Sequence, residues 1–122
     1  MGLTNAGKAV VAALVGDVSS PVAFTYVAYG TGTTAFAATQ TALVTESQRS
    51  TSATVTRATT TVANDTLSLA NSFTIATTET ITEAGVFNDS SAGTMLARSL
   101  VSPTKGVSSG DTYVLTYKIA FA

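Results

Sequence analysis

The sequence predicts an all-β fold, an antiparallel sandwich of jelly-roll or barrel-like form with one short N-terminal helix, and three features carry that prediction. Threonine fills 24 of 122 positions, and its β-branched side chain sits more easily on a pleated, half-exposed strand than in a helix. About six or seven short runs alternate apolar and polar residues with the period of a strand. Turn-forming residues separate these runs at fairly regular spacing, as in sandwiches and barrels.

The helix is expected over residues 4–15. Thr4 is placed to cap it, Ala6, Val10, Val11 and Leu14 recur at helical spacing, Gly16 is a natural stop, and Leu3 is positioned as a hydrophobic staple. After Pro21 the period becomes two. Val22, Phe24, Tyr26 and Ala28 alternate with Ala23, Thr25, Val27 and Tyr29, and a run apolar on both sides predicts a strand buried on both faces. Gly30-Thr31-Gly32-Thr33-Thr34 ends it in a turn. Residues 34–40 read as a surface loop and residues 42–46 as a short extended piece.

Ala53 and Val55 then alternate with Thr54 and Thr56, so the threonine-rich stretch 45–61 is expected to pair as strand. Asn64-Asp65 predicts a turn before the cleanest strand, in which Leu67, Leu69, Phe73 and Ile75 share a face that Asn71 interrupts as a bulge or a hydrogen-bonded polar group. A hairpin follows, with residues 81–87 and 95–101 joined by the turn Asn88-Asp89-Ser90-Ser91-Ala92-Gly93. Pro103 and Gly106 are expected to break the chain. Past Gly110-Asp111, the last strand sets Tyr113, Leu115, Tyr117, Ile119 and Phe121 on one face.

The whole chain, 1–122, is expected to form one domain, because a chain of this size supports one core. Apolar residues make up 45% of it, but charged residues only 11%, under half the usual ~25%. The surface must therefore be neutral and polar. A net charge of −1 and six scattered Lys and Arg argue against nucleic-acid binding. No segment reaches the ~20 apolar residues of a membrane span, and the N-terminus lacks the basic start and apolar run of a signal peptide.

Histidine and cysteine are absent, which removes the commonest general base, the commonest transition-metal ligand and the most reactive nucleophile. No catalytic residue, metal site or cofactor is expected. Glu79 and Glu83 are the one close acidic pair that glycoside hydrolysis would need; Glu79 is expected in a turn and Glu83 in a strand. Glu83 is better read as a structural carboxylate facing Arg98 across the hairpin, an interaction of ~0.2–1 kcal/mol. Gly30-Thr31-Gly32 lacks the third glycine, the lysine and the following helix of a phosphate loop. The turn at Asn88 offers calcium a single carboxylate. Tyr113 and Tyr117 share a face with Leu115 and Ile119, so burial is expected rather than a sugar-stacking platform.

Several segments together resemble small structural proteins of tailed-bacteriophage particles. They are Leu3-Thr4-Asn5-Ala6-Gly7-Lys8, Phe24-Thr25-Tyr26-Val27-Ala28-Tyr29-Gly30-Thr31-Gly32-Thr33-Thr34, Thr41-Ala42-Leu43-Val44-Thr45-Glu46, Val62-Ala63-Asn64-Asp65-Thr66-Leu67, Ile81-Thr82-Glu83-Ala84-Gly85-Val86-Phe87-Asn88, Gly93-Thr94-Met95-Leu96-Ala97-Arg98, and Ser109-Gly110-Asp111 with the closing strand. The resemblance spans nearly the whole chain. It implies a non-enzymatic virion protein made in the bacterial host cytoplasm: a capsid cement or decoration protein on the outer shell or, alternatively, a tail-associated fibre or adaptor protein. The implied partners are the major capsid protein or other virion proteins, with symmetric homo-oligomers the default. Contact residues are expected on two loops, at Thr31, Thr33, Thr34 and Phe36 and at Asn88, Asp89 and Ser90, because binding surfaces concentrate on loops held by a rigid sheet.

Overall fold

A computed structural model describes residues 2–121, so Met1 and Ala122 of the expected 1–122 domain lie outside it. In chain order its elements are β1 (Gly2–Leu3), α1 (Asn5–Gly16), β2 (Tyr26–Gly30), β3 (Glu46–Arg49), β4 (Thr54–Ala58), β5 (Thr66–Thr74), β6 (Glu79–Phe87), β7 (Met95–Val107) and β8 (Thr112–Ala120). The strands form two antiparallel sheets, one ordered β1-β7-β6-β2-β3 and the other β4-β5-β8. The fold is the all-β sandwich with a short N-terminal helix that the sequence predicts.

The two sheets enclose a core in which Val27, Tyr29, Leu69, Ile75, Ile81, Val86, Leu96, Ala97 and Ile119 are almost wholly buried. Tyr29 makes edge-to-face contacts with Phe73 and Tyr113, its ring centre 4.9 and 5.6 Å from theirs, the arrangement that aromatic quadrupoles favour. Tyr117 is buried and Tyr113 partly buried, as their shared face predicts. A smaller cluster of Ala28, Leu43, Phe87 and Met95 lies against Tyr26. Val27 and Tyr29 thus join one cluster and Tyr26 and Ala28 the other, so β2 is apolar on both faces because it is covered on both.

Thr4 caps α1, its hydroxyl accepting from the Gly7 amide at 2.9 Å and donating to the Met95 carbonyl. Cap and helix are thereby fixed to β7. The covered stripe runs through Gly7, Val10 and Val11, whereas Ala6 is exposed. Close approach explains the shift: a side chain at position 7 would stand 2.7 Å from the Leu96 backbone. The helix ends at Asp17, which adopts a left-handed conformation with φ 50°. Leu3 pairs with Ala97 as an edge strand and packs on the core.

Other boundaries move for identifiable reasons. The strand expected from Val22 starts at Tyr26, and Val22 is 60% exposed. The extended piece expected at 42–46 is a loop whose Leu43 is buried, and the strand there is Glu46–Arg49. β7 does not stop at Pro103 but continues to Val107, keeping its ladder with β6 by shifting register between the Glu83–Leu100 and Ile81–Lys105 pairs. Glu79, expected in a turn, opens β6. Asn71 pairs with Leu115 in an unbroken β5–β8 register, its amide donating to the Ser72 carbonyl at 3.2 Å. Phe121 leaves the core face and is 56% exposed, since the chain has passed the end of β8.

Candidate contact surface

The main polar structure is buried. Glu83 and Arg98 are wholly inaccessible, and the Arg98 Nε donates to Glu83 Oε1 at 2.9 Å. They are not directly opposite: Glu83 faces Leu100 and Arg98 faces Gly85. The pair is a same-face diagonal, for which long side chains have the reach. Gly85 carries no side chain to intervene, and Leu43 packs where one would stand. The sequence-based expectation of a weak cross-strand pair is therefore corrected to a buried one.

Glu83 also gathers the long loop between β2 and β3. Its carboxylate accepts from the amides of Gly32 (2.8 Å), Val44 (2.9 Å) and Thr45 (2.8 Å), and the neighbouring Thr82 hydroxyl donates to the Gly32 carbonyl at 2.8 Å. The loop thus cradles an anion as a phosphate loop does, but the anion is the protein's own. Glycine is required there: a side chain at Gly30 would stand 2.1 Å from the Thr45 carbonyl oxygen and one at Gly32 2.4 Å from Glu83 Oε2. Burial pushes the Glu83 carboxyl up. The Thr45 amide, the Arg98 guanidinium and the Val44 and Gly32 amides more than offset it, holding the group below its ordinary range. Arg98 Nη1 reaches Gln40 Oε1 at 3.3 Å, and Nη2 is buried without a hydrogen-bond partner among the described residues.

The expected contact residues divide accordingly. Thr33 and Thr34 are exposed on this anchored loop; Thr31 is half-buried, its amide bonded to the Thr45 carbonyl. Phe36 is half-buried with its ring over Gly2, where any side chain at position 2 would strike it. On the hairpin turn, Asp89 and Ser90 are exposed, whereas Asn88 is half-buried and accepts from the Thr94 amide at 2.8 Å. Phe36 and Asn88 are therefore supports, and Thr33, Thr34, Asp89 and Ser90 are the outward positions.

Arg49 is the support that sequence reading missed. It forms two bonds to Glu46 (2.9 and 2.7 Å), donates to the carbonyls of Asp89 (3.0 Å) and Ala92 (2.8 Å), and lies 3.6 Å from the Phe87 ring centre. Asp65 likewise closes the loop before β5, accepting from the amides of Thr60, Thr61 and Val62 at 2.8–2.9 Å. Those amides, Val62 foremost, hold its carboxyl far below the usual carboxylate range. Asp111 accepts from the Ser108 amide at 2.8 Å. Most of the few acids thus bind the protein's own backbone or its own arginines, and the outward loop positions are left largely neutral. Among the described residues, no group of three or more Asp, Glu, His or Cys is placed to hold a metal ion, and no helix is long and apolar enough to cross a membrane.

Comparison with protein-family models, curated proteins and solved structures finds no match.

Proposed function

We propose that this chain is a non-enzymatic structural protein of a tailed-bacteriophage particle, a cement protein that sits on the outer capsid surface and ties neighbouring shell subunits together. One observation carries the reading beyond the resemblance itself. The segments Gly30-Thr31-Gly32, Val44-Thr45, Glu83-Ala84-Gly85 and Leu96-Ala97-Arg98 meet around a single buried hub, so these four of the resembling segments serve to hold the scaffold together. A rigid domain whose acids are engaged internally suits many weak, neutral contacts repeated over a large assembly, where binding is driven by mass action.

The test is the stoichiometry of purified particles. A band comparable in copy number to the major shell protein is the expected result. A copy number of tail-component scale would place the chain among fibre or adaptor proteins, and absence from particles would overturn the proposal.

A further inference from the structure

Strand β8 is an unprotected sheet edge. Among the described residues it pairs with β5 alone, in continuous register over nine residues. At either end of that ladder the Ile75 amide bonds to the Asp111 carbonyl and the Phe121 amide to the Asp65 carbonyl, at 2.8 and 2.9 Å. Hydrogen-bonded pairs alternate in an antiparallel ladder, so Tyr113, Leu115, Tyr117 and Ile119 bond to β5. Thr112, Val114, Thr116, Lys118 and Ala120 then aim their N–H and C=O groups at the open side. Natural edges are usually blunted by proline, bulges or several charges. β7 past its pairing with β1 follows that rule with Pro103, Lys105 and a register shift. β8 has Lys118 alone.

Beside this edge lies an open slot of about 370 Å³, floored by Ala84, Ser99 and Val101 and walled by Tyr113, Tyr117 and Lys118. It arises because the sheets differ in width. β8 lies over β6, and β7 and β1 continue the larger sheet beyond it; α1 covers that extension near Leu96 and Ala97, but among the described residues no strand of the smaller sheet lies above the Ser99–Val101 stretch. That overhang selects the occupant. A second copy joining β8 to β8 in two-fold antiparallel fashion would drive its own β7 and β1 into the same space. The chain's described ends are also engaged, Gly2 and Leu3 with β7 and Phe121 with Asp65.

We infer that β8 is a docking edge for a single extended segment of a different polypeptide, which adds a fourth strand to the smaller sheet. Backbone bonds to Val114, Thr116 and Lys118 hold it, and alternate side chains, small and apolar, enter the slot over Ala84 and Val101. An acidic residue is favoured where the segment passes Lys118. The inference deepens the proposed function and rests on that reading only for the partner's identity, an arm or loop of a shell protein.

The test needs no particles, so the two readings fail separately. A library of nine-residue peptides is selected on the immobilised full chain. Enriched peptides alternate small apolar residues with polar ones and carry an acid near one end. They bind Val55→Pro, altered on the opposite edge of the same sheet, as they bind the original chain. They bind Thr116→Pro at least about tenfold more weakly, because proline there removes an outward N–H without touching the β5 ladder. Val101→Phe, which fills the slot and leaves the edge intact, gives a second, independent loss, and melting curves verify that each variant is folded. Failure to enrich any peptide, or peptides that bind both the Thr116 and Val101 variants undiminished, would overturn the inference.

Discussion

Both faces of the larger sheet are buried along β2 and β6, yet they are closed by different physics. On the inner face, Val27, Tyr29, Ala84 and Val86 meet the apolar face of the smaller sheet. On the outer face, Ala28, Phe87 and Met95 share the surface with Glu83 and Arg98, and a loop rather than a sheet forms the cover. Apolar contact is non-directional and tolerates small adjustments. A buried ion pair is directional and costly if incomplete, so it holds the loop in one conformation while adding little net stability. Strand β6 carries both solutions on alternate residues, and for that reason it is buried from Ile81 to Phe87.

Substitutions separate the two mechanisms. Glu83→Gln, which strands the Arg98 charge, is expected to cost about 3–5 kcal/mol in chemical denaturation, whereas Glu83→Leu combined with Arg98→Met removes the stranded charge but still deprives the Gly32, Val44 and Thr45 amides of their acceptor, and so recovers only part of that loss. A double variant as unstable as the single one would mean that the loop, rather than the charges, is the costly element. Leu69→Ala on the inner side is expected to cost about 2–5 kcal/mol while leaving loop residues 31–45 as resistant to proteolysis as before. Thr4→Ala, which removes the helix cap and its tie to β7, should cost about 0.5–2 kcal/mol. Val15→Ser, at an 85% exposed position, should shift stability by no more than about 0.5 kcal/mol.

The faces also differ in their response to pH. The Glu83 carboxyl is held below its ordinary 4.5. Its contribution is complete above that value and is lost as pH falls through the lower folded value. Burial pushes the Tyr117 hydroxyl on the inner side from 10.0 up to about 12, against the pull of its Ser99 bond and the Arg98 charge. That contribution is complete below pH 10 and fades as pH rises toward about 12. Melting temperatures across pH should therefore fall at both ends, Glu83→Gln reducing the acid limb, of which Asp65 keeps a share, and Tyr117→Phe reducing the alkaline one, to which Tyr29 and Tyr113 also contribute.

The inner face was legible in the sequence because alternation reports burial directly: Leu69, Phe73 and Ile75, like Leu115, Tyr117 and Ile119, sit where period two puts them. The outer face was not. Its cover, residues 31–45, is held by amides bonding to Glu83, and backbone amides leave no mark on residue identity. The visible trace was Gly30 and Gly32, which signalled a turn without naming the carboxylate that needs them. Glu83 with Arg98 was legible as a pair but not as a buried one, since a charged residue in a strand reads as exposed. Arg49 gave no warning either: beside its bonds to nearby Glu46, the two carbonyls that tie it to the hairpin turn lie some forty positions along the chain.

That most acids are turned upon the domain itself has a consequence for whatever meets its exterior. Attraction between fixed charges weakens within a screening length of about 8–10 Å at ordinary ionic strength, but contacts made by methyl groups, hydroxyls and strand backbone do not depend on dissolved ions in that way. An attachment built from them should survive brine and dilute buffer alike, and should part under denaturant or heat before it parts under salt.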